Sequence, residues 1–192
     1  MARKIIPLVD NEFYHIVNRG VEKRDIFLDD EDRLRFINSL LVFNDDKPVP
    51  WSLRKFWGTH APGTFYDYVP ERPFVEIHTI TLMPNHFHLL LKQVREHGIS
   101  EFMRKIGGYV SYFNKKYQRV GSLFQGRFKA KLIETESQLI NTYIYIHTNP
   151  LELIEPQWKE FKINNPSRAL NFLETFRWSS YLDYAGENNL KN

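Results

Sequence analysis

Residues 74–92, FVEIHTITLMPNHFHLLLK, constrain the fold of this chain more than any other segment. Two runs rich in β-branched and aliphatic residues flank Met83-Pro84-Asn85, a tripeptide suited to a tight turn. The pattern predicts strands over 74–82 and 86–92, joined as a hairpin. Residues 12–18 alternate well enough for another strand, closed by Arg19-Gly20. A helix is expected over 31–43, capped by Asp29 or Asp30, with Leu34, Ile37, Leu40 and Leu41 on one face. A second is expected from Ser100 to about Tyr117, where Phe102, Ile106, Tyr109, Tyr112 and Phe113 recur near helical spacing and Gly107-Gly108 lowers propensity. A strand over 127–133 follows. Thr135 or Ser137 can then cap a helix that Asn149-Pro150 ends.

The order is strand, helix, strand, strand, helix, strand, and one more helix. It matches an α+β ferredoxin-like architecture: one antiparallel sheet with helices on one face, plus a helix near the chemistry and a C-terminal tail. Pro48, Pro50, Pro62 and Pro70 exclude a long regular element in 44–72, which reads as an insertion with a short helix around 52–57. The division expected is a main domain over 1–150 and an extension over 151–192, polar apart from Trp178-Ser179-Ser180-Tyr181.

Composition narrows the function classes. A length of 192 residues with 42% hydrophobic side chains is enough for one domain with a sizeable core. With no cysteine, a disulfide framework, a thiolate zinc site and a cysteine nucleophile are all excluded. No apolar run approaches the roughly 20 residues of a membrane span. The first residues are too short an apolar stretch and too polar for a secretory signal, so a cytoplasmic protein is expected. Charge is segregated. Residues 92–131 hold ten bases against two acids, a net +8, which leaves −5 for the rest of a chain whose total is +3. Seven aromatic residues are interleaved with those bases. The combination suits single-stranded nucleic acid, whose phosphates pair with cations and whose bases stack. A solvated helix face over an aromatic core is the simpler explanation from composition alone.

His86-Phe87-His88 is the sharpest local signal. In a strand, residues i and i+2 share a face, so both imidazoles project together and can chelate one divalent ion. On the final helix Tyr145 and Asn149 are i and i+4 and also share a face. If that face lies over the histidines, two imidazoles, an amide oxygen and a phenol meet. Such mixed nitrogen and oxygen ligation suits Mg²⁺ or Mn²⁺. His147 is offset from Tyr145 by two residues and reads as structural. Tyr143, which is i+4 from His147, is the competing nucleophile, and the sequence leaves both triads chemically open.

These residues resemble the single-tyrosine transposases of the HUH nuclease superfamily, and within it the REP-associated tyrosine transposases of the IS200-like group. Met83-Pro84-Asn85-His86-Phe87-His88 is similar to their metal-binding strand, and 145–150 to their catalytic helix with its trailing Asn-Pro. Residues 14–20, followed by Asp25-Ile26-Phe27, resemble the opening strand and loop; Leu123-Phe124-Gln125-Gly126-Arg127-Phe128 resembles the segment before the catalytic helix, and Trp178-Ser179-Ser180-Tyr181 their C-terminal signature. The stretch 44–72 and the segment between Pro150 and Trp178 are longer than the family pattern.

The resemblance implies that His86, His88 and Asn149 hold Mg²⁺ or Mn²⁺. It implies that Tyr145 attacks a phosphodiester of single-stranded or hairpin DNA to give a 5′-phosphotyrosine and a free 3′-hydroxyl. Arg19, Arg104, Lys105, Lys115, Lys116, Arg119, Arg127 and Lys129 are expected to grip the DNA beside the active strand, in a nucleoid-associated enzyme. Relatives include monomers and homodimers, so oligomeric state stays open. Two other functions remain: a nucleic-acid-binding regulator that does not cleave, and a metal-dependent hydrolase of small phosphates using water.

Overall fold

The computed structural model describes residues 8–49, 68–187 and 189–190. The short helix expected around 52–57 lies outside them. Four strands form one antiparallel sheet in the order β2-β3-β1-β4: β1 Phe13–Arg19, β2 Val75–Met83, β3 His86–Gln93 and β4 Lys129–Ile133. This is the strand order of the expected ferredoxin-like sheet. The hairpin turns at Pro84-Asn85, pairing Met83 with His86. In the centre, Val17 of β1 faces His88 of β3 and His15 faces Leu90.

Three helices cover one face: α1 (Asp30–Val42), α2 (Gly98–Ile106) and α3 (Tyr109–Lys116). Their Phe36, Phe102, Ile106, Tyr109 and Phe113 are buried against Tyr14, Ile16, Phe87, Leu89 and Leu91 of the sheet. Asp29 starts α1 by accepting a hydrogen bond from Asp32 N at 2.9 Å.

The single helix expected over 100–117 is two. At the joint, Gly108 N donates to Lys105 O and Val110 N to Gly107 O, both three residues back. That tighter ladder turns the chain where two adjacent glycines weaken the α-helix. The start of α2 depends on another glycine. A Cβ on Gly98 would stand 2.2 Å from Phe74 O, so the helix can approach the sheet edge only without a side chain there.

The fourth helix, α4 (Glu136–Thr148), is capped by Thr135 and crosses the opposite face. There Ile146 is buried with Leu90 and Ile133, with Phe13 packed against them. The segment after α4 forms helical turns over Asn149–Leu153 and Trp158–Glu160, then α5 (Pro166–Thr175) and α6 (Tyr181–Tyr184).

Residues 178–180 run along the outer edge of β2. Leu82 N donates to Trp178 O at 2.9 Å, Ser180 N to Ile80 O at 3.0 Å, and Thr81 Oγ1 to Ser179 Oγ at 3.1 Å. The sheet edge is thereby covered, and Trp178 enters the main core. No helix among the described residues is long and apolar enough to cross a membrane.

Candidate active site

Strand alternation places His86 and His88 on the α4 face while Phe87 enters the core behind them. The two imidazole centres are 4.9 Å apart. Each ring is held through one nitrogen. His86 Nδ1 meets Asn85 Oδ1 at 2.5 Å, and His88 Nδ1 meets His15 Nε2 at 2.8 Å. With the proton on His88 Nδ1, its Nε2 presents a lone pair, and that buried atom has no partner. This is the arrangement of a ligating histidine, whose far nitrogen is fixed by a neighbour.

Asn149 caps the end of α4, fully buried, and neither atom of its amide has a hydrogen-bond partner. The amide stands beside the His86 imidazole without completing a hydrogen bond to it. An unpaired buried amide costs about 1–3 kcal/mol unless something else engages it. A hard cation ligated by Asn149 Oδ1 and the histidine nitrogens would engage the acceptor half of that amide, so the donor set fits Mg²⁺ or Mn²⁺. No cluster of three or more His, Cys, Asp or Glu suited to a metal occurs among the described residues.

Tyr145 leans over this group. Its ring centre is 5.5 Å from His88, 5.8 Å from His15 and 5.7 Å from Trp158. Tyr143 faces elsewhere, because two residues of α-helix turn a side chain through about 200°. Its hydroxyl bonds His78 Nδ1 at 2.8 Å and its ring packs on Tyr184. Burial pushes its phenol upward. His147 likewise points away and bonds Ser180 Oγ at 3.0 Å. The alternative triad of Tyr143 and His147 is therefore directed at the C-terminal segment.

A cavity of about 1070 Å³ opens over the phenol. His15, His86, His88 and Tyr145 line it, with Arg19, Arg127, Lys129, Lys131 and Lys159 supplying positive charge. Three of the eight cations expected to grip DNA thus reach the cleft: Arg19, Arg127 and Lys129. The other five do not line it, because α2 and α3 cover the opposite face of the sheet. Arg104 pairs with Glu101, Lys105 bonds Asp45 O and lies over Phe74, and Arg119 bonds Asn114. Lys116 is held by Asp29, Glu31 and Asp32, and Lys115 is exposed. His15, Lys131 and Lys159 are cleft residues that the sequence did not single out. His15 sits in the quoted segment 14–20, but only the β1–β3 register brings it to His88.

Burial dominates the charge state. It lowers His15 to about 4, aided by Lys131, and His86 to about 4, aided by Arg19. Burial, then the neighbouring His15 and His86, holds His88 well below the usual imidazole range. All three are neutral at pH 7, the form that ligates metal. Each has a folded pKa below its unfolded value, so the unfolded chain binds more protons between them. Stability is therefore full above about pH 6.5 and declines as pH falls towards 4, by up to about 1.4 kcal/mol per pH unit for each imidazole. A melting series from pH 8 to 4 should show a falling Tm below pH 6.5, and a Tm flat to pH 4.5 would contradict these shifts.

The model of the family described as "Transposase IS200 like" matches residues 63–149, the stretch that holds the hairpin, His86, His88, Tyr145 and Asn149. This match agrees with the resemblance read from the sequence. Among solved structures, a REP-associated tyrosine transposase bound to a REP hairpin superposes with a TM-score of 0.57 at 14% identity, covering 98% of this chain and 88% of that one. That likeness is one of fold. A putative transposase from Deinococcus radiodurans R1 gives a TM-score of 0.39 at 16% identity, covering 74% of this chain and 95% of that one. No curated protein matches the chain.

Proposed function

We propose that this chain is a metal-dependent nuclease and strand transferase of single-stranded DNA, acting on hairpin-containing repeat sequences through a covalent bond to Tyr145. The observation that carries the reading is two neutral imidazoles and a phenol lining one basic cleft, with an unpartnered buried amide beside one of the imidazoles. The family match over the same residues supports a transposase-like DNA function. The hairpin bound by the structurally similar transposase supports hairpin DNA as the partner.

His86, His88 and Asn149 would hold Mg²⁺ or Mn²⁺, which offsets charge developing on the phosphate oxygens. Tyr145 Oη forms a bond to phosphorus as the bond from phosphorus to the 3′ oxygen breaks. The phenol proton passes to water and the 3′ oxygen takes one up. The phosphotyrosine conserves the bond energy, so a 3′-hydroxyl can reseal the strand without ATP. Arg19, Arg127 and Lys129 lie where backbone phosphates would enter.

The test is an end-labelled oligonucleotide with a hairpin and single-stranded flanks, incubated with Mn²⁺. Native protein should form a denaturant-resistant adduct, Tyr145→Phe should form none, and Tyr143→Phe should retain it within about threefold. Adduct surviving in Tyr145→Phe would overturn the assignment. Tight hairpin binding unaffected by EDTA, with no adduct in any metal, would identify a regulator that does not cleave.

A further inference from the structure

The nucleophile proposed above has a cationic neighbour that no part of the metal set supplies. After α4 the chain turns through Asn149–Leu153 and returns over the cleft at Trp158–Glu160. The return is anchored. Buried Glu155 accepts hydrogen bonds from Asn164 Nδ2 at 2.8 Å and Asn165 N at 3.2 Å, and its own N donates to Leu151 O at 2.7 Å. Trp158 lies against the Tyr145 ring, tilted by 34°. Lys159 Nζ stands 5.7 Å from the centre of that ring and 5.6 Å from Trp158. Glu152 fixes the ammonium at 2.5 Å.

Burial lowers the lysine, but the bond to Glu152 and the charge of an ionised Tyr145 outweigh it and hold the ammonium above its usual range, so it is a cation at neutral pH. A protonated lysine cannot accept the phenol proton. It can donate to the phenol oxygen.

We infer that Lys159 stabilises negative charge on Tyr145 Oη, both when the phenol loses its proton to water to attack phosphorus and when the same oxygen leaves during resealing. The inference rests on Tyr145 being the nucleophile. A preorganised donor aimed at an oxygen that becomes charged contributes in the transition state, where the gain is largest. Lys159 is exposed, its side chain 43% accessible, so its pair with Glu152 contributes little to stability. Glu152 then acts as a positioning residue, holding the ammonium at the phenol when no DNA is bound.

The experiment compares native protein with Lys159→Met and Lys159→Arg. Adduct formation is measured at saturating oligonucleotide from pH 6.5 to 9.5, and hairpin affinity is measured in a Tyr145→Phe background. Lys159→Met should lower the adduct rate at pH 7 by about 100-fold, as for loss of one oxyanion donor. That deficit should shrink as hydroxide assumes the task of ionising the phenol. Lys159→Arg should restore the rate to within several-fold. Affinity in the Tyr145→Phe background should change by less than about twofold.

A native rate in Lys159→Met, or a deficit constant across pH, overturns the inference. So does weaker hairpin binding with a salt dependence reduced by about one phosphate contact, which would make Lys159 a backbone contact. If the native protein forms no adduct, or Tyr145→Phe still does, the nucleophile assignment has failed first and Lys159 falls with it. An adduct that depends on Tyr145 and ignores Lys159 removes this inference alone.

Discussion

On the proposed metal set and nucleophile, His88→Ala is expected to eliminate Mn²⁺ binding in an electron paramagnetic resonance titration and to lower adduct formation by at least about 1000-fold. His88 is central to the candidate site. Its ring lies 4.9 Å from His86, 5.0 Å from His15 and 5.5 Å from Tyr145. Among the described residues, its Nε2 is the imidazole nitrogen that is both buried and unpartnered. Removing it leaves one histidine and one amide, both uncharged, where water-rich Mg²⁺ sites rely on one or two carboxylates. The strand itself should persist, because β3 is paired on both sides through backbone groups that alanine retains. His78→Ala is the control. His78 also lies on the α4 side of the sheet, but it bonds Tyr143 and packs against Phe13. It should leave Mn²⁺ affinity within about twofold. Undiminished Mn²⁺ binding in His88→Ala, with full circular dichroism, would remove His88 from the metal set.

The sheet was legible because its signals are local. Period-two alternation in 74–92 and the Met-Pro-Asn turn place His86 and His88 on one face before any tertiary contact is known. The i, i+4 relation likewise joins Tyr145 to Asn149. What sequence does not carry is register and facing. His15 reaches His88 only because Val17 pairs with His88, which makes His15 a diagonal neighbour on the same face. Lys159 comes from an irregular return segment that has no periodicity to read. The basic tract of 92–131 looked like one surface because its residues are consecutive. The fold splits it instead: α2 and α3 lie behind the sheet, and β4 and the approach to it lie in front. The break at Gly107-Gly108 was signalled by composition, but composition does not say whether two glycines bend a helix or end it.

Asp32→Ala is expected to destabilise the fold by about 3–5 kcal/mol, the loss typical of breaking a buried charge network from one side. Its carboxylate is fully buried and accepts four hydrogen bonds. These come from Leu28 N at 2.8 Å, Tyr112 hydroxyl at 3.0 Å, Tyr117 hydroxyl at 2.8 Å and Lys116 Nζ at 3.0 Å. Three of the donors belong to α3 or the residue that ends it, so this one side chain ties α1 to α3 behind the sheet. Alanine would leave the Tyr112 hydroxyl and Leu28 N–H without their acceptor, Tyr117 with Asp29 alone, and Lys116 with Asp29, Glu31 and the Tyr112 hydroxyl. For a chain of this length that loss lowers Tm by about 10 °C. Asp30→Ala, two residues earlier and largely exposed, should shift stability by less than about 0.5 kcal/mol. The same network explains why Lys116, expected from sequence to hold DNA, is committed to carboxylates. Lys116→Ala should therefore lower Tm while changing hairpin affinity little. The reverse pattern, with affinity lost and Tm unchanged, would return Lys116 to the nucleic-acid surface.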